Sequence, residues 1–454
     1  MHSLKVFGAS PLLRWSRCFA LSLALSFTFQ GLAVSAPADT ENAAETSLDE
    51  PEESSADQGS AEDPALALES LQDQLDIQSF EQLQLAQRFQ DFREALPFDF
   101  FGSFAVRHCA MANEQFDVLG NVLQMRLSAG LRGRVDEHWS YGLRVLSTQN
   151  DNYNLSWFPA GGSTIGRVPF FIDRYRVSWQ TTPQDNAPPW MPQVQLHFGK
   201  ARNTLFDTAL LFDEDVSFNG LQQIFQWQND APRLTGVSDV RWRKSELLLH
   251  EDVILTEDTF ITSALWAAKG RTQWDLPWGN LEAGLGYLHY TGVDALAAYQ
   301  FNSGYRGVYS TGNRRVDGRA PGYTSDFRLL NGSVRWHWQP EGFPEVQLIA
   351  DTVYNTAASD RNLGWWIGGH IGRLQQAGDW RVEYSYRHME QDYQLDLMVD
   401  EFFAGTDVQG HRLDLHYMLA DKTRAVATFL TRQRLTEPEL GSLTVAYLTL
   451  RQDF

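Results

Sequence analysis

The clearest pattern in the chain is an alternation of apolar and polar residues between Leu123 and Val145. Up to Val135 the odd positions are apolar or small, and the even positions are polar, glycine or arginine. This period of two, resumed after a short turn at 136–138, predicts an antiparallel strand pair. The first strand would run for 13 residues, whereas soluble strands average about 5–6 residues and membrane-spanning strands need about 9–11. A soluble hairpin also alternates, but the length and the arginines favour the wall of a transmembrane β-barrel, with its polar side toward a wet interior.

The same alternation continues to the C-terminus. The 357 residues from Phe98 to Phe454, at about 20–22 residues per strand with its connection, predict an all-β antiparallel barrel of about 16 strands, with a range of 16–18. The strands around 241–251, 258–269 and 423–432 have the weakest patterns. Tryptophans near the strand ends are typical of an aromatic girdle. A large secreted solenoid or sandwich is the alternative, but neither explains arginine as the alternating neighbour of these aromatics.

The interior face of this barrel would be strongly charged. The chain has 32 arginines and only five lysines, and arginines lining a pore favour anions and carboxylate-bearing solutes. In the alternative interpretation, they pair with neighbouring acids and hold the wall together. The residues predicted to line the pore are Arg126, Arg132, Arg134, Arg144, Arg174, Arg176, Arg335, Asp351, Arg381, Glu383, Arg387, Arg412 and Asp414.

The N-terminal 97 residues divide into three segments. Residues 1–38 combine early basic residues, an apolar run from Cys18 to Phe29 and the site Ala36-Pro37-Ala38, which predicts a cleaved secretory signal peptide. Residues 39–65 contain ten acids and no Lys or Arg, which predicts a disordered tether rather than a binding segment. Residues 66–97 have helical leucine and phenylalanine spacing ended by Pro97. This helix would either form a short periplasmic coiled coil in a homo-oligomer or pack on the barrel.

Export and an apolar alternating wall together predict the outer membrane of a Gram-negative bacterium. Lipid and lipopolysaccharide would then surround the barrel. The last strand ends in Phe454, and a terminal Phe on an amphipathic strand resembles the signal read by the machinery that inserts outer-membrane barrels. Gln452 departs from the apolar residue usual at the third position from the end.

The longest glycine-rich interruption runs from Gly292 to Ser325, and a loop of this length is more often functional than idle. It could fold into the pore as a constriction loop that presents arginines to the solute. Alternatively, it is an extracellular loop whose charges meet water or lipopolysaccharide. The constriction candidates are Arg306, Arg314, Arg315 and Arg319.

Three stretches resemble the bacterial putative porin family: residues 170–177, Gly199-Lys200-Ala201-Arg202-Asn203, and the acidic turn from Phe212 to Gly220. The family has a "GR-x-x-N" strand end followed by a "W-D-x-D-L-N-x-x-G" turn, and this chain departs from it at Lys200 and Phe212. The resemblance implies a large outer-membrane barrel that acts as a passive channel for small hydrophilic solutes. Barrels that export exopolysaccharides such as alginate also share the size and the arginine-rich interior.

The remaining functional classes find little support in the residues. The histidines are scattered, and His411 and His416 fall on opposite faces of one strand, which is poor for metal binding. No catalytic constellation, phosphate-binding loop or cofactor motif is present, and the net charge of −20 argues against nucleic acid. We therefore expect no enzyme, metal or cofactor. The hypotheses are a diffusion porin, a polysaccharide exporter, and a plugged barrel acting as an enzyme or adhesin.

Overall fold

The structure is a computed structural model that describes most of the chain from Phe98 onward. The described residues are 84, 87–88, 98–113, 118–147, 158–159, 170–181, 188, 190–202, 209–213, 216–228, 240–256, 259–294, 312–314, 316, 322–399, 402–403 and 405–454. The signal peptide, acidic tether and helix predicted for 1–38, 39–65 and 66–97 fall outside them, apart from three isolated positions, and stay predictions. In the described part of the chain, no helix is long and apolar enough to cross a membrane.

Residues 98–454 form one closed antiparallel barrel. Sixteen strands make the ring, and an additional two-residue strand, β4, extends it beside β2. The strands are β1 Phe98–Asn113, β2 Val118–Arg134, β3 Trp139–Ser147, β4 Phe158–Pro159, β5 Phe170–Gln180, β6 Gln193–Arg202, β7 Ser217–Gln228, β8 Arg241–Thr256, β9 Thr259–Leu276, β10 Gly279–Thr291, β11 Arg328–Trp338, β12 Val346–Asn355, β13 Leu363–Gly372, β14 Trp380–Met389, β15 Val408–Ala420, β16 Thr423–Arg434 and β17 Ser442–Asp453. Short 3₁₀ turns occur at Asp396–Met398 and Pro438–Leu440.

The ring is closed by the two ends of the chain. β17 pairs with β1 over eleven residues, from Ser103 opposite Asp453 to Asn113 opposite Leu443. The backbones of Gly102 and Phe454 exchange two further hydrogen bonds of 3.1 and 3.0 Å. The predicted barrel of about 16 strands is therefore confirmed, including the three strands whose patterns were weakest.

The two ends of the barrel differ in their connections. At one end, tight turns such as 135–138, 277–278 and 421–422 join consecutive strands. The longest connections, β3–β5, β10–β11 and β14–β15, all lie at the other end. We call these the short-turn end and the long-loop end. The asymmetry is typical of barrels in which long loops gather on one side of a membrane.

The alternation in the sequence corresponds to two faces of the wall. Large apolar side chains such as Leu285, Ile367 and Tyr384 are exposed on the exterior. Their sequence neighbours point inward, because successive strand residues face opposite sides. One irregularity corrects the sequence interpretation. A bulge at Asp173 in β5 shifts the register, so Phe171 lies opposite the interior residue Leu146 instead of facing outward with Tyr175.

A buried core lies inside the ring rather than between packed sheets. Interior residues of the strands, among them Leu248, Leu288 and Val445, pack with buried residues of the connections, among them Leu210 and Tyr393. Several of these side chains have no exposed surface at all. Interior apolar residues can be buried only if chain segments fold into the barrel, and the described residues of the β6–β7 and β14–β15 connections do so.

Candidate functional site: the barrel interior

The dominant feature of the interior is one segment of the β14–β15 connection, residues 390–399 and 402–403, which we call the strap. Its Gln394 donates a hydrogen bond of 2.9 Å to the hydroxyl of Tyr290 on β10. Its Phe402 ring packs edge-on against Tyr447 of β17, with centroids 5.2 Å apart. Because β10 and β17 are seven strands apart in a ring of sixteen, the strap reaches nearly opposite walls.

The middle of the strap is seated on the connection between β6 and β7. The hydroxyl of Tyr393 donates to the carbonyl of Leu210 at 2.8 Å, and the amide of Gln394 donates to the carbonyl of Leu211 at 3.1 Å. The backbone N–H of Asp213 donates to Met398 O at 2.9 Å. Leu211, Phe212 and Asp213 are buried. The seat of the strap therefore includes Asp213, a residue of the acidic turn that carries part of the family resemblance.

Arginines of the wall hold the end of the strap by cation–π contacts. The Arg412 guanidinium lies 4.1 Å from the centroid of Phe402, and that of Arg387 lies 4.4 Å from the centroid of Phe403. Arg107 stacks on Tyr447 at 4.9 Å and hydrogen-bonds Gln124. Such contacts strengthen when water is excluded. These arginines thus pack the strap against the wall.

The start of the strap is fixed by a charged cluster at the rim of the long-loop end, which we call the clamp: Arg314, Asp392 and Asp360. Arg314 Nε donates to Asp392 at 2.6 Å and its Nη1 donates to Asp360 at 2.7 Å. The side-chain amide of Asn313 donates to the carbonyls of Gln391 and Gln394. The hydrogen bond from Arg314 lowers the pKa of the Asp360 carboxyl below its usual range.

Part of the Gly292–Ser325 loop therefore contacts the strap at the rim, through Asn313 and Arg314, in a way the sequence did not indicate. The guanidinium of Arg314 is fully engaged by two carboxylates, so it holds other loops together rather than presenting a free charge to the interior. The other candidates, Arg306, Arg315 and Arg319, lie outside the described residues.

All predicted pore-lining residues lie on the interior face of the wall, and the strap and its neighbours cover one group of them. Asp351, Arg387 and Asp414 are buried, and most of the charges in this group have nearby partners. Arg412 lies 2.7 Å from Asp414, Arg381 lies 3.5 Å from Glu383 and Arg335 lies 4.0 Å from Glu282. Asp351 accepts a hydrogen bond from Asn331 at 2.5 Å. Here the alternative interpretation, that charges hold the interior together, fits the geometry.

A second group lies on β2, β3 and β5, which we call the arginine arc: Arg126, Arg132, Arg134, Arg144, Arg174 and Arg176. Arg132, Arg134 and Arg176 are exposed within the interior. Arg132 has a loose pair with Asp99 at 3.8 Å. Within the part of the chain that the structure describes, Arg134 and Arg176 have no acidic partner.

The backbone register explains why Arg176 is accessible. Its direct neighbours in the sheet are Gly142 on β3 and Gly199 on β6, and Gly220 continues the row on β7. These glycines carry no side chain that would cover the guanidinium. Farther along the arc, Arg144 forms an ion pair with Asp173, and Arg174 donates to Ser217 at 2.9 Å. The arc therefore contains both paired and unpaired arginines.

Sequence reasoning missed the strap. Its signal was a mostly apolar stretch in a connection, Leu395 to Val399 with Asp396 inside it, followed by Phe402 and Phe403. Solvated loops are rarely this apolar, because such side chains gain free energy only by burial. The stretch does not reveal its contacts, since Tyr393 and Leu210 are 183 residues apart in the chain.

Comparison with known proteins gives one family. Residues 76–241 and 308–454 match the model of a family described as putative porin. Among solved structures, OprB of Pseudomonas putida gives a TM-score of 0.50 at 10% identity, over 79% of this chain and 94% of that chain. OmpF of Salmonella typhi, in complex with daunomycin, gives 0.46 at 9% identity over 79% and 97%. OmpT, an outer membrane protein of Vibrio cholerae, gives 0.44 at 10% identity over 79% and 97%. No curated protein matches the chain.

Proposed function

Because the chain belongs to the putative porin family and is therefore an outer-membrane channel for solute diffusion, we propose that it favours small hydrophilic anions. Long loops of such barrels face the cell exterior and short turns face the periplasm. The strap would then narrow the extracellular half of the channel, and solutes would pass beside it along the arginine arc. The proposal assigns the protein no catalytic reaction.

The observation that carries the proposal is the exposure of Arg134 and Arg176 toward the lumen without an acidic partner among the described residues. A guanidinium is always charged and presents donors in a planar fork that matches a carboxylate. Gly142 and Gly199, the neighbours of Arg176 in the sheet, carry no side chain that would cover this fork. An anion would therefore meet accessible positive charge along the arc.

The strap contributes the opposite charge. Its described residues include Glu390, Asp392 and Asp396 and no lysine or arginine. Asp392 is neutralised by Arg314, whereas Asp396 is partly exposed. Anions would be repelled from this side of the lumen and directed toward the arc. Selectivity would then depend on the arc more than on the covered arginines such as Arg387.

Reversal potentials in planar bilayers under a salt gradient test the proposal. We expect an anion preference for the wild-type channel, reduced in R176Q and reduced further in R134Q/R176Q. The matched control is R328Q, which removes an arginine at the outer rim whose acidic partner among the described residues, Asp326 at 3.7 Å, is loose and exposed. A cation preference in the wild type, or equal shifts in R176Q and R328Q, would contradict the proposal.

The same proposal includes the partners expected from the sequence. Phe454 is exposed on the exterior face of the closing strand, where the barrel-insertion machinery could contact it during assembly. We expect F454A to lower the yield of folded, heat-modifiable barrel in outer membranes. F343A removes an equally exposed aromatic from a turn and should leave the yield unchanged. We also propose that lipopolysaccharide surrounds the rim and that the protein forms a homo-oligomer. Cross-linking in native membranes tests the homo-oligomer.

A further inference from the structure

We infer that the strap is a gate, closed in this structure, which is latched by the clamp around Arg314 and widens the channel when the clamp is released. This inference rests on the chain being a channel, but it is independent of any anion preference. It assigns Arg314 the role of a positioning residue that holds the strap. The arginine would not itself contact a permeating solute.

The strap can move because the barrel does not depend on it. The sixteen strands close into a ring through β1 and β17 without any contribution from the strap. Besides the backbone hydrogen bond from Asp213 N–H to Met398 O, the contacts of the strap across the lumen are made by side chains, such as Gln394 with Tyr290 and Phe402 with Tyr447. Releasing these contacts breaks no hydrogen bond between barrel strands. The closed position is therefore a separate equilibrium from the fold of the barrel.

The clamp joins three connections at one point. Arg314 belongs to the β10–β11 connection, Asp360 to β12–β13 and Asp392 to β14–β15. Besides its contacts with Arg314 Nε, Asp392 accepts the backbone N–H of Arg314 at 3.0 Å and the hydroxyl of Ser325 at 2.9 Å. Arg314 also donates to the carbonyl of Asp360 at 3.0 Å. The start of the strap is thus fixed to both neighbouring loops.

Burial makes Arg314 the decisive member of the clamp. The side chain of Asp392 is only 1% exposed, so the loss of Arg314 would leave a buried carboxylate without its counter-charge. A buried charge without a partner is strongly unfavourable, and the segment that carries it tends to move toward water. For Asp392, moving toward water means lifting the first residues of the strap.

The exposed side of the clamp gives the gate a means of control from outside the cell. The side chain of Asp360 is 58% exposed, against 26% for Arg314. An exposed ion pair is weakened by salt, whereas the buried pair with Asp392 is screened much less. The outer arm of the clamp would therefore respond to ions at the cell surface, and the inner arm would keep the resting position closed.

Single-channel conductance and thiol labelling together test the inference. M398C places a thiol at a buried strap position, and C109A removes the buried native thiol of β1. In this background, R314Q should raise conductance and admit larger neutral sugars in liposome swelling. It should also raise the rate at which a membrane-impermeant maleimide labels position 398. Loss of one hydrogen bond to a charged group predicts a rise of about 10-fold or more.

D360N and R328Q complete the experiment. D360N removes only the outer arm of the clamp, so it should produce smaller changes in conductance and labelling in the same direction. If a heat-modifiability assay shows that R314Q does not fold, D360N takes its place. R328Q lies at the same rim outside the clamp and should match the wild type. Wild-type conductance and labelling in folded R314Q and D360N would overturn the gate. Reversal potentials of the same channels report separately on the anion preference.

Discussion

The arginine arc on β2, β3 and β5 and the strap-covered wall from β10 to β17 use the same residue type for different purposes. On the arc, Arg176 stands between glycines and is exposed to the lumen. On the covered wall, Arg387 is 3% exposed and stacks on Phe403. Both are interior residues of alternating strands. The difference arises from the connection that folds over one half of the ring, together with the strand glycines that flank Arg176.

This difference shows that charge inside a barrel is not the same as charge available to a solute. When a guanidinium is paired with a carboxylate or stacked on an aromatic ring, its hydrogen-bond donors are used and its charge is partly balanced or covered. The covered wall therefore contributes stability and the position of the strap, whereas the arc contributes the potential that an ion meets. A count of interior arginines does not distinguish these two roles. Substitutions on the covered wall and on the arc should distinguish them.

The largest expected effect comes from adding one methyl group on the covered side. A Cβ at Gly364 would lie 2.3 Å from the ring of Tyr393, so G364A forces Tyr393 out of its seat beside Leu210. Overpacking of this kind costs about 1–3 kcal/mol, and lifting the strap relieves it. We expect G364A to raise single-channel conductance clearly above that of the wild type.

G142A is the matched control, because it places the same substitution on the interior face of the arc. There the nearest atoms to the new Cβ are at 3.7 and 3.9 Å, which is ordinary contact distance. Conductance should remain that of the wild type. If G364A and G142A behave alike, the two halves of the wall do not differ in packing as described.

A larger side chain at the same arc position should have the opposite effect. G142F would fill the open space beside Arg176, so conductance should fall while the barrel stays folded. G270F is the control, because a Cβ at Gly270 meets nothing within 4 Å and this glycine is on the exterior face. Unchanged conductance in G142F would mean that solutes do not pass along the arc.

The sequence was sufficient for the wall and insufficient for the strap, for a physical reason. Lipid and water impose opposite demands on successive residues of a strand, so the alternation from Leu123 to Val145 shows both faces locally. It fails at Phe171 only because the bulge at Asp173 adds a residue. The strap depends on contacts between distant parts of the chain, which a local pattern does not contain. The sequence therefore predicts that Arg387 and Arg412 face the interior, but it does not predict that the strap covers them.

The choice of constriction loop shows the same limit. The length, glycines and arginines of Gly292–Ser325 favour a constriction loop in the sequence. These features do not indicate where a connection packs. Arg314 does contact the strap, but as a partner of Asp392. The mostly apolar stretch from Leu395 to Val399 was the more direct signal, because burial is what brings a loop into a barrel.

A smaller effect concerns pH at the end of the β14–β15 connection. Burial raises the pKa of Asp407, whose carboxylate accepts a hydrogen bond from the Thr436 hydroxyl. Because the folded-state pKa lies above the unfolded value, the burial cost is fully present at neutral pH and fades as pH falls toward that unfolded value. We expect D407N to be more stable than the wild type at pH 7 and equal to it near pH 3. Midpoints of urea unfolding in detergent at both pH values measure this. A D407N variant that is less stable at pH 7 would contradict the assignment.

The smallest effect should appear at the β2–β3 turn of the arc, with the opposite sign. The backbone N–H groups of Trp139 and His138 donate to Asp136 at 2.7 and 2.8 Å and lower its pKa. A lowered pKa contributes stability above the unfolded value, which is lost as pH falls through the folded value. D136N should therefore be slightly less stable than the wild type at pH 7, and the difference should vanish in acid. The same unfolding midpoints measure it. Asp407 follows the strap and is buried, whereas Asp136 lies in the open arc. If D407N and D136N shift the unfolding midpoint in the same direction at pH 7, the opposite environments assigned to the two carboxylates are wrong.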